Sequence, residues 1–185
     1  MSLFLRLRAW QLFVLLFALP MLTQVTGTVL FAVTEQVGFF VAGWALAVLA
    51  MGLFGGWFWA MGTRLATLLP PSAPARLGWF KAGLRLAGAY LLLLIALVLV
   101  TASGAQPSFN PLWMLLILPL HLPSMAGIFY AVFFVARTLK AVELQRPVQL
   151  GDYLGEFFLL WFFPVGVWII QPRINQLFAD PQTAG

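Results

Sequence analysis

Cysteine is absent from the 185-residue chain, which excludes disulfides, thiolate metal sites and cysteine nucleophiles. Histidine occurs once, at His121. Neither a three-histidine zinc site nor a two-histidine haem site can therefore be built within one chain. Charge is scarce: five acidic and ten basic residues make up 8% of the sequence, against about 25% in a soluble domain. The phosphate-binding G-x-x-x-x-G-K-[ST] loop, the H-E-x-x-H zinc motif and aspartate-rich prenyl-diphosphate motifs are also missing. No carboxylate falls within the first four apolar stretches, which argues against a cation pump with membrane carboxylates.

What is present is apolar. Hydrophobic residues make up 63% of the chain, more than a soluble fold of this size can keep from water, so the bilayer is its natural solvent. Gaps between charges mark the segments. Ala9 follows Arg8 and no charge appears before Glu35, giving a first span over 9–33 with Pro20 predicting a kink. The gap from Glu35 to Arg64 gives a second span over 37–62. Pro70-Pro71-Ser72-Ala73-Pro74 breaks the chain, and 75–84 reads as an interfacial piece leading into a third span over 86–101. A turn-rich run over 103–111 precedes a fourth span over 112–136, which extends into water until Pro147. The stretch 157–170 is short for a crossing. It is expected to be an embedded segment, interfacial or re-entrant with its turn at Pro164–Gly166, and the rival is a fifth span. The fold class is thus an all-α polytopic membrane bundle in one domain.

The chain starts like a signal peptide, but its apolar run continues past signal length without an A-x-A site, so it reads as uncleaved. The net charge of +5 is no nucleic-acid signature, because the cations sit at span ends. Arg6 and Arg8, then Arg64, Arg76, Lys81 and Arg85, then Arg137, Lys140 and Arg146 all fall on one side. The positive-inside rule makes that side, and the N-terminus, cytoplasmic. Trp10, Trp57, Trp59, Trp79 and Trp161 read as an aromatic belt. Phe58–Leu65 and Phe133–Leu139 echo each other, each an aromatic run, a small residue, then Arg-Thr or Thr-Arg and leucine.

Few residues could carry chemistry. His121, between Pro119 and Pro123, is placed near the midplane, beside carbonyls that the prolines deprive of donors. It is expected to be neutral, to face protein and to bind no metal. The sharper reading makes it the contact for a cofactor: a pigment, haem or quinone, or a proton relay. Gly52 and Gly56 form a G-x-x-x-G pair expected to pack closely against a neighbouring helix. Asp152 reads as a helix N-cap, and Glu156 as an anion near the helix start. With Glu143 and Arg173 these two form a possible interfacial cluster, and Glu156 pairs with Arg173 if the segment is a hairpin.

The run Gly151-Asp152-Tyr153-Leu154-Gly155-Glu156-Phe157-Phe158, with Trp161-Phe162-Phe163-Pro164-Val165-Gly166-Val167-Trp168 and Gln171-Pro172-Arg173-Ile174-Asn175, resembles a segment of small uncharacterised bacterial membrane proteins of the Bacteroidetes group. The stretch 129–145 resembles them too. The resemblance covers about a third of the chain. It implies a bacterial inner membrane and carries no activity or functional residue.

The expectation is a non-catalytic structural or accessory subunit with no cofactor. Its partners are membrane lipids, itself or other membrane proteins, and no nucleic acid. One rival is a small-molecule transporter or channel, which needs a wet path past Thr23, Gln24 and His121. The other is a lipid-modifying enzyme, which needs Glu143, Asp152, Glu156 and Arg173 to converge on a pocket open to lipid.

Overall fold

A computed structural model describes residues 3–73, 76–102 and 112–178. A short helix α1 (Leu3–Arg6) precedes α2 (Ala9–Phe13), which passes through a π turn (Val14–Ala18) into α3 (Leu19–Thr34). Then come α4 (Val37–Leu65), α5 (Leu77–Ala102), α6 (Leu112–Leu144), α7 (Leu150–Trp161) and α8 (Phe163–Leu177). No strand occurs among the described residues. Four helices among them are long and apolar enough to cross a membrane, with bounds Ala9–Thr34, Gly38–Leu68, Leu77–Leu97 and Ile117–Leu144. The chain is an all-α, multi-pass integral membrane protein.

The local breaks have covalent causes. Pro20 has no N–H to donate, and the helix before it widens so that the Leu19 N–H reaches the Val14 carbonyl. Glu35 turns the chain between α3 and α4 with a left-handed φ of 57°, its N–H closing on the Phe31 carbonyl at 2.8 Å. Pro119 and Pro123 lie inside an unbroken α6, as transmembrane helices allow. Of the interfacial piece expected over 75–84, which leads into the third span, 77–84 are the first turns of α5, and residue 75 lies outside the described residues. The turn-rich run 103–111 lies outside the described residues.

The spans form two hairpins. In α3–α4, a Cβ added at Gly27 would meet the Phe39 carbonyl oxygen, and the Gly43 Cα would be 3.8 Å away. In α5–α6, a Cβ at Gly127 would lie 2.7 Å from the Gly83 oxygen and 3.0 Å from its Cα. The hairpins join at their basic ends. There Trp57, Met61 and Leu65 of α4, Phe80 of α5 and Val135 and Leu139 of α6 are completely buried, and Phe80 stacks on Phe134 at 4.7 Å. The two echoing segments, Phe58–Leu65 and Phe133–Leu139, make this joint. Away from it the helices carry exposed apolar residues such as Leu22, Val29, Trp44, Leu92 and Leu118.

The C-terminal segment is a helical hairpin against this joint. Helix α7 runs beside α6, with Tyr153 edge-on to Phe133 at 5.3 Å and Trp161 stacked on Phe129 at 4.5 Å. Helix α8 returns, putting Phe163 5.1 Å from Phe54 and Arg173 on Glu143 near the end of α6. Both ends of the hairpin therefore lie at the basic face. Twelve and fifteen residues reach about 18 and 22 Å, short of the roughly 30 Å core. The turn is at Phe162 (φ −91°, ψ 57°), not at Pro164–Gly166. Proline is favoured early in a helix, where its missing N–H costs nothing, so Pro164 starts α8. Gly166 lets α8 lie on the Leu159 carbonyl, where a side chain would overlap it.

Candidate functional site

Four features bring polar or unfilled positions together, three of them at the basic end. The first is ionic. Helix α6 offers Lys140 and Glu143, one turn apart, and α7 and α8 bring Glu156 and Arg173. The Arg173 Nε donates to Glu143 Oε1 at 2.7 Å, and a terminal guanidinium nitrogen reaches the other Glu143 oxygen. The same nitrogen donates to Glu156 Oε1 at 2.8 Å, and Lys140 Nζ donates to that oxygen at 3.0 Å. Asp152 stays apart. It accepts from both terminal nitrogens of Arg146 at 3.3 Å and from the Gln149 N–H at 2.9 Å. The N-cap position is Gln149 and Asp152 is the third helical residue. A carboxylate there can reach back to the cap N–H, so Asp152 caps from inside the helix rather than from the N-cap.

Electrostatics fixes these groups in their charged forms. Burial pushes the Glu156 carboxyl up, but hydrogen bonds from Arg173 and Lys140 outweigh it, and its pKa falls below the usual 4.5. The Gln149 N–H and Arg146 hold Asp152 low. Hydrogen bonding to Glu143 outweighs burial and raises Arg173, with Glu156 adding to the effect. A carboxylate held by two cations accepts hydrogen bonds and has no proton to give near neutral pH. The sequence grouping of four thus divides into a triad closed by Lys140 and a separate Arg146–Asp152 pair. A cavity of about 20 Å³ beside Arg137 and Thr138 has room for about one water.

The second feature was not read from the sequence. Gln171 is completely buried. Its Oε1 accepts from the Trp57 indole N–H at 3.1 Å, and its Nε2 lies 2.9 Å from the carbonyls of Phe4 and Leu7 and from Asn175 Oδ1. Asn175 Nδ2 also donates to the Leu7 carbonyl, at 3.1 Å. These bonds tie α1 to α8 and satisfy carbonyls where α1 breaks before α2. Trp57 is consequently a core donor, not a belt residue. The available signal was Gln171 and Asn175, four residues apart on one helix face after a long apolar run.

The third feature is a cavity of about 660 Å³ between the hairpins. Gly52, Gly55 and Gly88 border it, and a Cβ at any of the three would meet nothing within 4 Å. Gly56 is touched only by the Phe4 ring, 3.3 Å from its Cβ position. Among the described residues of the chain, no helix crosses at the Gly52–Gly56 pair. Close glycine approaches occur instead at Gly27 with Gly43 and at Gly83 with Gly127, on different helices, pairings that spacing along one helix does not reveal. The cavity's edge carries Arg85, whose guanidinium lies 5.4 Å from the Trp59 ring centroid, with Lys81 Nζ at 5.9 Å from the same ring.

The fourth feature is His121. Its Nδ1 lies 3.0 Å from the Tyr90 hydroxyl on α5, and the rings are edge-on at 5.5 Å. The imidazole is exposed on the protein surface, so a protein partner and an open face coexist. Thr23 bonds back to the Leu19 carbonyl at 2.8 Å, and the Gln24 side-chain oxygen is buried without a partner among the described residues. Thr23, Gln24 and His121 do not border the large cavity. Among the described residues no cluster of three or more metal-ligating side chains occurs. Comparison with protein-family models, with curated proteins and with solved structures finds no match for the chain.

Proposed function

We propose that the chain is a non-catalytic structural or accessory subunit of a membrane assembly, lying in a bacterial cytoplasmic membrane with its basic face inside. The observation that carries the reading is the outward-facing Tyr90–His121 pair at membrane depth. His121 lies nine residues into α6, about 14 Å along its axis. Tyr90 engages Nδ1, and among the described residues no bond is shown for the other nitrogen of this exposed residue. An unpaired ring nitrogen in hydrocarbon is costly, and a polar group on a neighbouring protein would satisfy it. The ionic triad supports the same reading, because its carboxylates are engaged in holding α6, α7 and α8 together. The orientation rests on the lysine and arginine bias.

A photo-crosslinking residue at Leu118 or Leu122, both exposed beside His121, tests the role in native membranes. The expected result is a defined protein adduct at these positions that weakens with His121→Leu and is missing at Leu22 on α3. Lipid adducts alone at all three positions would refute it.

A further inference from the structure

The cavity between the hairpins has the form of a lipid site. We infer that it seats an acyl chain of an anionic glycerophospholipid, with the phosphate held by Arg85 and Lys81. The inference is independent of whether the chain has a protein partner.

Size and composition come first. At about 660 Å³ the cavity falls within the range of about 300–1,000 Å³ usual for ligand pockets. Its walls are apolar apart from one end: Leu16 and Pro20 from the first span, the glycine face of α4, Gly88 and Leu91 of α5, and Val132 of α6. Water has nothing to bond to on these walls, so hydrocarbon is the occupant that they favour.

Length and direction follow from the helices. The lining on α4 runs from Ala47 to Trp59, twelve residues or about 18 Å. That is close to the depth of one leaflet, about half the roughly 30 Å core. A spanning helix from another protein would have to pass the full core, and the cavity does not. A single lipid chain ends where the cavity ends.

Charge then selects the headgroup. Lys81 and Arg85 are four residues apart, on one face of α5. Helix α5 has 26 residues, about 39 Å, so it overshoots the core by about 9 Å. Lys81 and Arg85 lie about 6 and 12 Å from its basic end, which places them at the hydrocarbon boundary. Both lie over Trp59, and among the described residues neither has a carboxylate within ion-pair distance. The carboxylates nearest in kind, Glu143, Glu156 and Asp152, are already engaged by Arg173, Lys140 and Arg146. A guanidinium at the edge of an apolar slot, with an ammonium one turn away over the same indole and both at headgroup level, matches a phosphodiester joined to an acyl chain.

Native mass spectrometry of the detergent-solubilised full chain tests this, with phosphatidylglycerol and phosphatidylcholine of identical chains as probes. One phosphatidylglycerol should be retained, at least tenfold more tightly than phosphatidylcholine. The double variant Lys81→Gln/Arg85→Gln should lose that preference. Gly52→Leu should lose retention of both lipids, because its side chain fills open space. Unchanged helical circular dichroism and melting temperature show that the variants remain folded. If Gly52→Leu does not fold, Gly88→Leu fills the slot from α5. Equal retention of the two lipids, or retention unaffected by both classes of variant, would overturn the inference. Preferential retention of a polyprenyl phosphate would overturn the assignment to a glycerophospholipid. A second copy of the chain that excludes lipid would overturn the site.

Discussion

Adding one methyl group to a glycine should have opposite effects at two sites in the same bilayer. At Gly127 the new Cβ would lie 2.7 Å from the Gly83 carbonyl oxygen, 3.0 Å from its Cα and 3.1 Å from its carbonyl carbon. All three are backbone atoms, so no rotamer change relieves the clash and α5 and α6 must separate. Overpacking of this kind costs about 1–3 kcal/mol, and the closely packed hairpin loses dispersion contacts along with it. At Gly52 the same Cβ meets nothing within 4 Å. There Gly→Ala removes only backbone freedom from the unfolded chain and should stabilise by about 0.5–1 kcal/mol. The two variants should therefore differ by about 1.5–4 kcal/mol, or at least a tenfold difference in unfolding equilibrium at about 1.4 kcal/mol per decade. Denaturation of the purified protein in mixed micelles, followed by helical circular dichroism, reads this difference. Equal destabilisation by Gly52→Ala and Gly127→Ala would show that the glycine face of α4 is packed, and a Gly127→Ala that costs nothing would refute the crossing at Gly83–Gly127.

Gln171→Leu leaves the Trp57 N–H and the Phe4 carbonyl without their partner and the Leu7 carbonyl with Asn175 alone. It should cost on the order of 3 kcal/mol and expose the segment before Ala9 to protease. Undiminished protease resistance would count against the tie. The Glu156 carboxyl titrates below its ordinary 4.5 when folded, so its contribution is present above 4.5 and is lost as pH falls through the folded value. Melting temperature followed between about pH 7 and 3 should fall more steeply for the wild type than for Glu156→Gln, and parallel curves would contradict this. Tyr90→Phe should cost about 0.5–1.5 kcal/mol, and His121→Gln, which keeps a donor and an acceptor, less; the same micelle denaturation measures both. A cysteine at Ser72 or Gln145, in a chain otherwise without cysteine, should react in intact cells only with membrane-permeant maleimide. Labelling by an impermeant one would reverse the orientation.

The helices were legible because charge gaps and bilayer thickness are one-dimensional constraints. Glu35, Arg64 and Pro147 bracket what the structure builds as α3–α4 and α6, within a few residues. The break at Pro20 was legible because it follows from a missing N–H. Contacts between distant helices were not. G-x-x-x-G spacing at Gly52–Gly56 shows that a close approach is possible, but not which helix arrives, and none does among the described residues of the chain. The partners that meet, Gly83 and Gly127, are separated by 44 positions and have no pattern between them. Of the candidate site, Glu143, Glu156 and Arg173 could be grouped from charge scarcity alone. Lys140 could not, because at a helix end a lysine reads equally well as an anchor to lipid. Trp57 and Gln171 were hidden for a similar reason: a tryptophan near a span end has two uses, and only the three-dimensional position of α8 decides between them.

The bonds of Gln171 to Phe4 and Leu7 also have a consequence in time. The segment before the first span depends on a side chain made about 165 residues later. At about 5–20 residues per second the interval is on the order of ten seconds or more. During it, the carbonyls of Phe4 and Leu7 and the Trp57 indole must bond to water, to headgroups or to an insertion factor. The segment holding Phe4 and Leu7 is thus secured late, and the interval between its synthesis and its closure is when the growing protein is most open to capture.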